Sequence, residues 1–381
     1  MSKLFQSPIS TSNLYLPDFD RVLGILQQAH DSSGHLERGK VVGQLENQLC
    51  EYHHAKYCVA FSTGFWALVA AIRLRAAPDK TEVIIPSMTY RRLADVVYWA
   101  DKIPVIVDNE PDGLAIDCDA VIDALTAETA LILAVHPIVN CCDVDRLMSI
   151  SNTFQVPIVF DAVESVHETY RGRRIGSFGV GEVFSLHASK LINGLEGGYV
   201  CTDDSVFRDQ LMDFRSGDSA RSAEAPLSIN AELCDPHAAF ALASLQEIDL
   251  IVAHNREVYE TYRAELASVA GIRLLTFDDS QQTSQKNVVV EVTEEFVLSR
   301  DVLMERLNQQ HILARPHYYP ALHDRGYEYP VRYTKTQVAD QVMKHYLNLP
   351  CGDMVSVDDV RKTCAFIKCV ATLERQDAQG P

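Results

Sequence analysis

No stretch of this 381-residue chain reaches the ~18 uninterrupted apolar residues that a membrane helix needs. The N-terminal MSKLFQSPISTSNLYLP has no apolar run long enough for a signal peptide, so a cytoplasmic location is expected. Positive charge is scarce: 34 Lys and Arg face 52 Asp and Glu, a net charge of −18 at pH 7. So acidic a chain argues against nucleic acid or an anionic membrane as its main partner, yet leaves room for a basic pocket that takes a phosphorylated small molecule. Paired cysteine motifs are missing too. The ten cysteines stand scattered, as at Cys58, Cys118, Cys201, Cys234 and Cys351, with no CxxC pair. They read as reduced, mostly buried thiols rather than a disulfide framework or a zinc site. Internal repeats and low-complexity tracts are absent, and 47% hydrophobic with 23% charged residues excludes a disordered chain or a fibrous rod.

What is present is alternation. From about residue 40, LENQLCEYHHAKY reads as a helix, YCVAFS as a strand and FWALVAAIRLRAA as a helix. EVIIPS, IPVIVD, TALILAVH and VPIVFDA follow as strands, with ADVVYWAD, DAVIDAL and DVDRLMSISNTF as the helices between and beside them. Short apolar runs each followed by a helix predict an α/β fold with a mainly parallel sheet buried on both faces. At ~100–200 residues per domain the length suggests two domains. The polar RSGDSARSAEAPLS near 215–228 reads as irregular, and a long helical run from about 235 to 266 follows it. Beyond lie KNVVVEV, SRDVLMERLNQQ and VDDVRKTCAFIK, a smaller α+β unit. The expected division is a large domain over 1–250 and a small one over 251–381.

Asp161 ends the strand VPIVFDA, and Lys190 follows 29 residues later in FSLHASK, just after another strand. In open α/β sheets ligands gather at the carboxyl ends of strands, so both side chains would face one crevice. An acid and a lysine so placed fit a pyridoxal phosphate site, the amine joining the aldehyde and the carboxylate pairing with the ring nitrogen. Alone, the pair is weak evidence, and a surface ion pair or unpaired helix-cap residues are the better reading of it. Its surroundings favour the site. The STG at 62–64 lies between a strand and a helix, where free N–H groups and the helix dipole attract phosphate. Ser185 offers a hydroxyl, Tyr90 a ring that could stack, and LEGGYV two glycines for a close turn after the lysine.

These motifs resemble the DegT/DnrJ/EryC1/StrS aminotransferases, pyridoxal-phosphate enzymes of fold type I (aspartate aminotransferase-like). The resemblance begins near GHLERGKVVGQLENQLCEYHHAKYCVAFSTG and ends in ILARPHYYPALH and LNLPCGD. Its most specific stretch orders DAVES, YRGRRIGSFG, S-x-H-x-x-K and EGG between Asp161 and Val200. It implies that Lys190 anchors the cofactor and shuttles protons, and that Asp161 partners the pyridine nitrogen. Glu164 falls near the cofactor's phenolic oxygen, Tyr90 on the stacking position, and Gly64, Phe65 and Ser185 on phosphate-binding positions. Asn230 matches an asparagine reaching the phosphate from the other subunit of a homodimer with shared sites. His317 and His323 belong to a segment near the substrate mouth, where a structural role is an equal alternative.

The implied activity is transfer of an amino group from glutamate or glutamine to a keto sugar, nucleotide-linked in many members. A keto-cyclitol or other small ketone of secondary metabolism, or a non-catalytic member of the fold, are the alternatives. A sugar-dehydrating relative has histidine in place of the lysine, so Lys190 favours transamination. Three departures concern the substrate. The family's Ser-Gly-Thr-Ala turn is Thr63, Gly64, Phe65 and Trp66 here, its VHLYG is HPIVN at 136–140 after a valine, and Asn-Tyr-Arg-Met is Asn230, Ala231, Glu232 and Leu233.

Overall fold

A computed structural model describes residues 3–11, 15–33, 39–111, 114–216 and 228–379. The expected apolar runs form two sheets, whose strands are numbered here in chain order. The larger contains β1 (Tyr57–Phe61), β2 (Glu82–Pro86), β3 (Ile103–Val107), β4 (Thr129–Val135), β5 (Ile158–Asp161), β6 (Glu182–Ser185) and β7 (Gly198–Thr202). The smaller contains β8 (Ile272–Leu274), β9 (Val288–Val292), β10 (Arg315–Pro316) and β12 (Tyr346–Leu349), while β11 (Arg332–Tyr333) joins the larger one. The large sheet runs β11-β3-β2-β4-β5-β6-β7-β1. Its pairs are parallel from β11 to β6, and β7 is antiparallel to both β6 and β1.

Both faces of this sheet are covered, as its uninterrupted apolar strands require. Side chains alternate along each strand. Val83 and Ile85 pack with Ala67, Ile72 and Val97 of the helices Gly64–Arg75 and Leu93–Trp99. Ile84, Ile132 and Phe160 pack on the other side with Val121 and Leu147, from the helices Cys118–Ala124 and Val144–Phe154. The small sheet is antiparallel, in the order β8-β9-β12-β10, and its core takes Leu303 and Leu307 from one helix and Val360 and Cys364 from another.

The long helical run expected at 235–266 is two helices, Asp235–Gln246 and Ile248–Leu266. They break at Glu247, which leaves helical geometry while its carboxylate accepts from Tyr15 and pairs with Arg21 at 3.2 Å. In the second helix Ile248, Ile251 and Val252 join the large sheet's core, whereas Val258, Tyr259 and Tyr262 join the small sheet's. We propose the domain boundary within this helix, with two exchanges across it. Ile9 pairs with Ile312 beside the small sheet, and β11 returns to the large one. Residues 217–227 of the polar segment lie outside the described residues.

Candidate active site

Five strands deliver the site at their carboxyl ends. Asp161 is the last residue of β5, Ser185 of β6, and Tyr90 follows β2 by four residues. His136 follows β4 and Gly64 follows β1. Lys190 lies in the turn after β6, between Leu186, whose N–H donates to Gly197, and Gly194, whose N–H donates back to Leu186. That closed turn holds the lysine's backbone while leaving its side chain partly accessible.

The Lys190 amine donates to Oε1 of Glu164. The other oxygen of Glu164, Oε2, accepts from Lys286 at 2.5 Å. Burial pushes this carboxyl up, but the two cations outweigh it and hold it at about 2. Asp161 stands in contrast. It is fully buried and accepts the Val163 N–H at 3.2 Å. Burial pushes its carboxyl up to about 7 despite that amide and the field of Lys190. Glu164, not Asp161, takes the Lys190 amine, so Asp161 is a buried carboxyl without a cation in contact. A protonated ring nitrogen would be such a cation. On the adjoining strand end, Nε2 of buried His136 has no hydrogen-bond partner among the described residues. These residues fit a pyridinium ring.

The phosphate side fits as well. The helix Gly64–Arg75 begins against Ser185, and a Cβ added to Gly64 would lie 3.0 Å from the Ser185 Cβ. Gly198 presses on the same turn, where an added Cβ would be 2.5 Å from the Gly64 Cα. Both glycines let three strand ends and a helix start converge. Thr63 caps the helix by accepting the Trp66 N–H at 3.2 Å. The first N–H groups of a helix lack intrahelical partners and carry about half a positive charge. Phe65 is half-buried, with Trp66 edge-on at 5.6 Å and the Arg92 guanidinium 5.5 Å above its ring.

Tyr90 is exposed beyond β2, so its ring is open to a planar partner. His317 is buried, its ring 4.0 Å from that of Tyr318, and burial holds it neutral down to about 3 despite the pull of Glu164. Tyr318 is pushed well up by burial and by Glu164, Asp161 and Tyr90, which places it in the same cluster. His323 is committed elsewhere: Nε2–H donates to Asp340 at 3.0 Å, leaving Nδ1 to accept the Ser87 hydroxyl at 2.5 Å. Asn230 is exposed, beside Ala231, whose carbonyl accepts the Ser62 N–H next to the phosphate turn. Thus Lys190, Asp161, Glu164 and His317 lie within one another's electrostatic reach, while Tyr90, Gly64, Phe65 and Ser185 stand at or just beyond strand ends of the same sheet. Lys286 escaped sequence reading. It stands some hundred residues after Lys190, and its one signal is a lysine two residues before the apolar strand β9. Among the described residues no group of three or more His, Cys, Asp or Glu could hold a metal ion, and no helix is long and apolar enough to cross a membrane.

A sequence model of the DegT/DnrJ/EryC1/StrS aminotransferase family matches residues 23–368. The chain is 26% identical to GDP-perosamine synthase of Vibrio cholerae over 348 residues, covering 90% of this chain and 94% of that protein. It is 25% identical to dTDP-4-amino-4,6-dideoxy-D-glucose transaminase of Shigella dysenteriae over 368 residues, 96% and 94% of the two chains. Among solved structures, DesI in the presence of its TDP-sugar product superposes with a TM-score of 0.90 at 26% identity, covering 99% of this chain and 96% of that one.

Proposed function

Because the chain belongs to the DegT/DnrJ/EryC1/StrS aminotransferase family, we propose that it moves an amino group from glutamate or glutamine to a keto sugar carried on a nucleotide. It is an aminotransferase, and pyridoxal phosphate is its cofactor. The observation that carries the site assignment is the opposed state of two acids one turn apart: Glu164 fully charged between lysines, Asp161 buried without a cation. The nucleotide-linked substrate is supported by similarity to a GDP-perosamine synthase and a dTDP-amino-sugar transaminase.

When bound, the cofactor supplies an aldehyde to which amines add and a cationic ring that withdraws electrons from the neighbouring carbon. Asp161 holds the proton on the ring nitrogen, and the ion pair relieves its own uncompensated burial. The N–H groups at Gly64 and Phe65, with the Ser185 hydroxyl, hold the phosphate. Tyr90 would cover a face of the cofactor's ring, Glu164 would stand near its phenolic oxygen, and Lys190 would hold its aldehyde. The freed Lys190 amine would then be the group that takes a proton from the donor carbon and delivers one to the acceptor's carbonyl carbon. His317, held neutral, lines the mouth as a hydrogen-bonding group rather than a charge, and His323 sits farther out.

We further place the enzyme in the cytoplasm as a homodimer, with Asn230 completing the partner's site. The purified protein should be yellow and bleach on adding glutamate or glutamine, and colour should return with nucleotide-linked keto sugars more readily than with free ketones. A colourless protein after incubation with pyridoxal phosphate would overturn the reading. Recovery with free keto-cyclitols alone would move the substrate to that class.

A further inference from the structure

Lys286 has no role in the mechanism above, yet it is one of the least expected residues in the molecule: a lysine only 5% exposed. Its ammonium is 2.5 Å from Oε2 of Glu164, while the Lys190 amine occupies Oε1. It arrives from the other domain, two residues ahead of β9. The segment leading to it is tied to the large domain at every second residue. Thr169 N–H donates to the Gln282 carbonyl, Ser284 donates N–H and O–H to Glu168, and Lys286 reaches Glu164. Cys351 donates its thiol to the Lys286 carbonyl at 3.0 Å, which fixes the backbone there.

We propose that Lys286 is a positioning residue that keeps Glu164 charged and in place beside the cofactor linkage, and so sets the pH at which the nitrogen joining Lys190 to the cofactor titrates. The reason is charge balance. Joining the aldehyde removes the ammonium that pairs with Oε1, and a buried carboxylate left alone would take up a proton or recapture one on that nitrogen. Lys286 is a second cation that the reaction does not consume. The groups facing this cluster are Asp161 at the end of β5, Glu168 in the segment after it, pushed by burial up to about 7, His317 and Tyr318 after β10, and Cys351 after β12. His317, Tyr318 and Cys351 are held neutral by burial near pH 7. Burial lowers the Lys286 ammonium while Glu164 pulls it back up, and Lys286 is the cation besides Lys190 that reaches Glu164.

The inference rests on Lys190 being the cofactor's anchor, and its test separates the two. The cofactor-loaded protein is titrated by its visible absorption band, and borohydride reduction with peptide mass analysis shows whether the cofactor sits on Lys190. In Lys286→Met the band's midpoint should rise by about one pH unit or more, because the cation on the other oxygen of Glu164 no longer opposes protonation. Lys286→Arg should stay near the wild-type midpoint. Glu164→Gln should lower the midpoint, and Lys286→Met added to it should raise it again. The double variant removes both members of the pair, so it tests the idea even if Lys286→Met alone does not fold. A midpoint that Lys286→Met leaves unmoved in whichever background folds overturns the proposal. Absence of cofactor on Lys190 in the wild type would overturn the anchor assignment instead.

Discussion

Two carboxyls three residues apart show how burial and partners divide one chemistry. Glu164 is charged because two lysines reach it, and burial holds Asp161 up at about 7 against the weaker pull of the Val163 amide and of Lys190. For an acid whose folded value is raised, stability is fully present below the unfolded value near 3.8 and is lost as pH climbs through about 7. The cofactor-free Asp161→Asn variant should therefore melt with the wild type near pH 4 and above it at pH 8, by an amount on the order of a few kcal/mol. Thermal melts of both proteins across that range measure it. Parallel curves at every pH would mean that Asp161 is already compensated without cofactor. Lys190→Ala is a different case. Glu164 keeps Lys286, so the variant is not left with an unpaired buried carboxylate and should fold. It should still take up pyridoxamine phosphate, since phosphate and ring contacts are untouched. Turnover should fall by at least ~10³, the usual scale for losing a positioned acid–base group. Near wild-type transamination by this variant would remove Lys190 from the mechanism.

At the scale of elements, the turn at Gly64 is where we expect acceptor choice to be set. Phe65 and Trp66 stand in the first turn of the helix Gly64–Arg75, half-buried, with Trp66 edge-on to Trp99 at 5.8 Å. On the reading that backbone N–H groups would carry the phosphate there, Phe65→Thr with Trp66→Ala should change which ketones are accepted more than it weakens the cofactor. Acceptor screening beside a cofactor titration decides; equal loss of cofactor with an unchanged acceptor range counts against the idea. How the sequence displays these elements depends on what each must satisfy. Strands such as β4, buried along all seven residues, are written as apolar runs, and the helices between them as periodic ones. That made the large sheet and the strand-end positions of Asp161 and Lys190 readable. The break at Glu247 was not, because an anchor contributed by Tyr15 and Arg21 from more than 220 residues away makes it. Nor was Lys286, whose value lies in one contact with Glu164 across the domain seam. Two-residue β11 carries too little pattern to announce that it returns to the large sheet. Local periodicity reports burial, whereas these features come from single long-range polar contacts or very short pairings.

For the whole molecule the open question is what completes the phosphate end of the site. Ala231 is tied to Ser62 beside the phosphate turn, and Asn230 next to it is exposed. Near the same helix, Trp99 is 56% exposed and Tyr98, stacked on Tyr329 at 4.2 Å, is 48% exposed. Large exposed aromatics side by side usually mark a surface that another chain covers. A two-fold dimer applies one patch to its own copy, so any residue crossing the interface does so twice. We therefore expect Asn230 to act in its partner's site. Mixing Lys190→Ala with Asn230→Ala protein under subunit exchange tests this. In a mixed dimer one site then carries both lesions and the other carries neither. Each parent should be nearly inactive, and full exchange of equal amounts should restore about a quarter of wild-type activity, since half the dimers are mixed and each has one intact site. If Asn230 instead serves its own subunit, each site of the mixed dimer keeps one lesion, and activity stays between the parents. Mixed dimers verified by native mass that recover nothing would place Asn230 in its own chain's site, and an Asn230→Ala parent of full activity would place it outside any site.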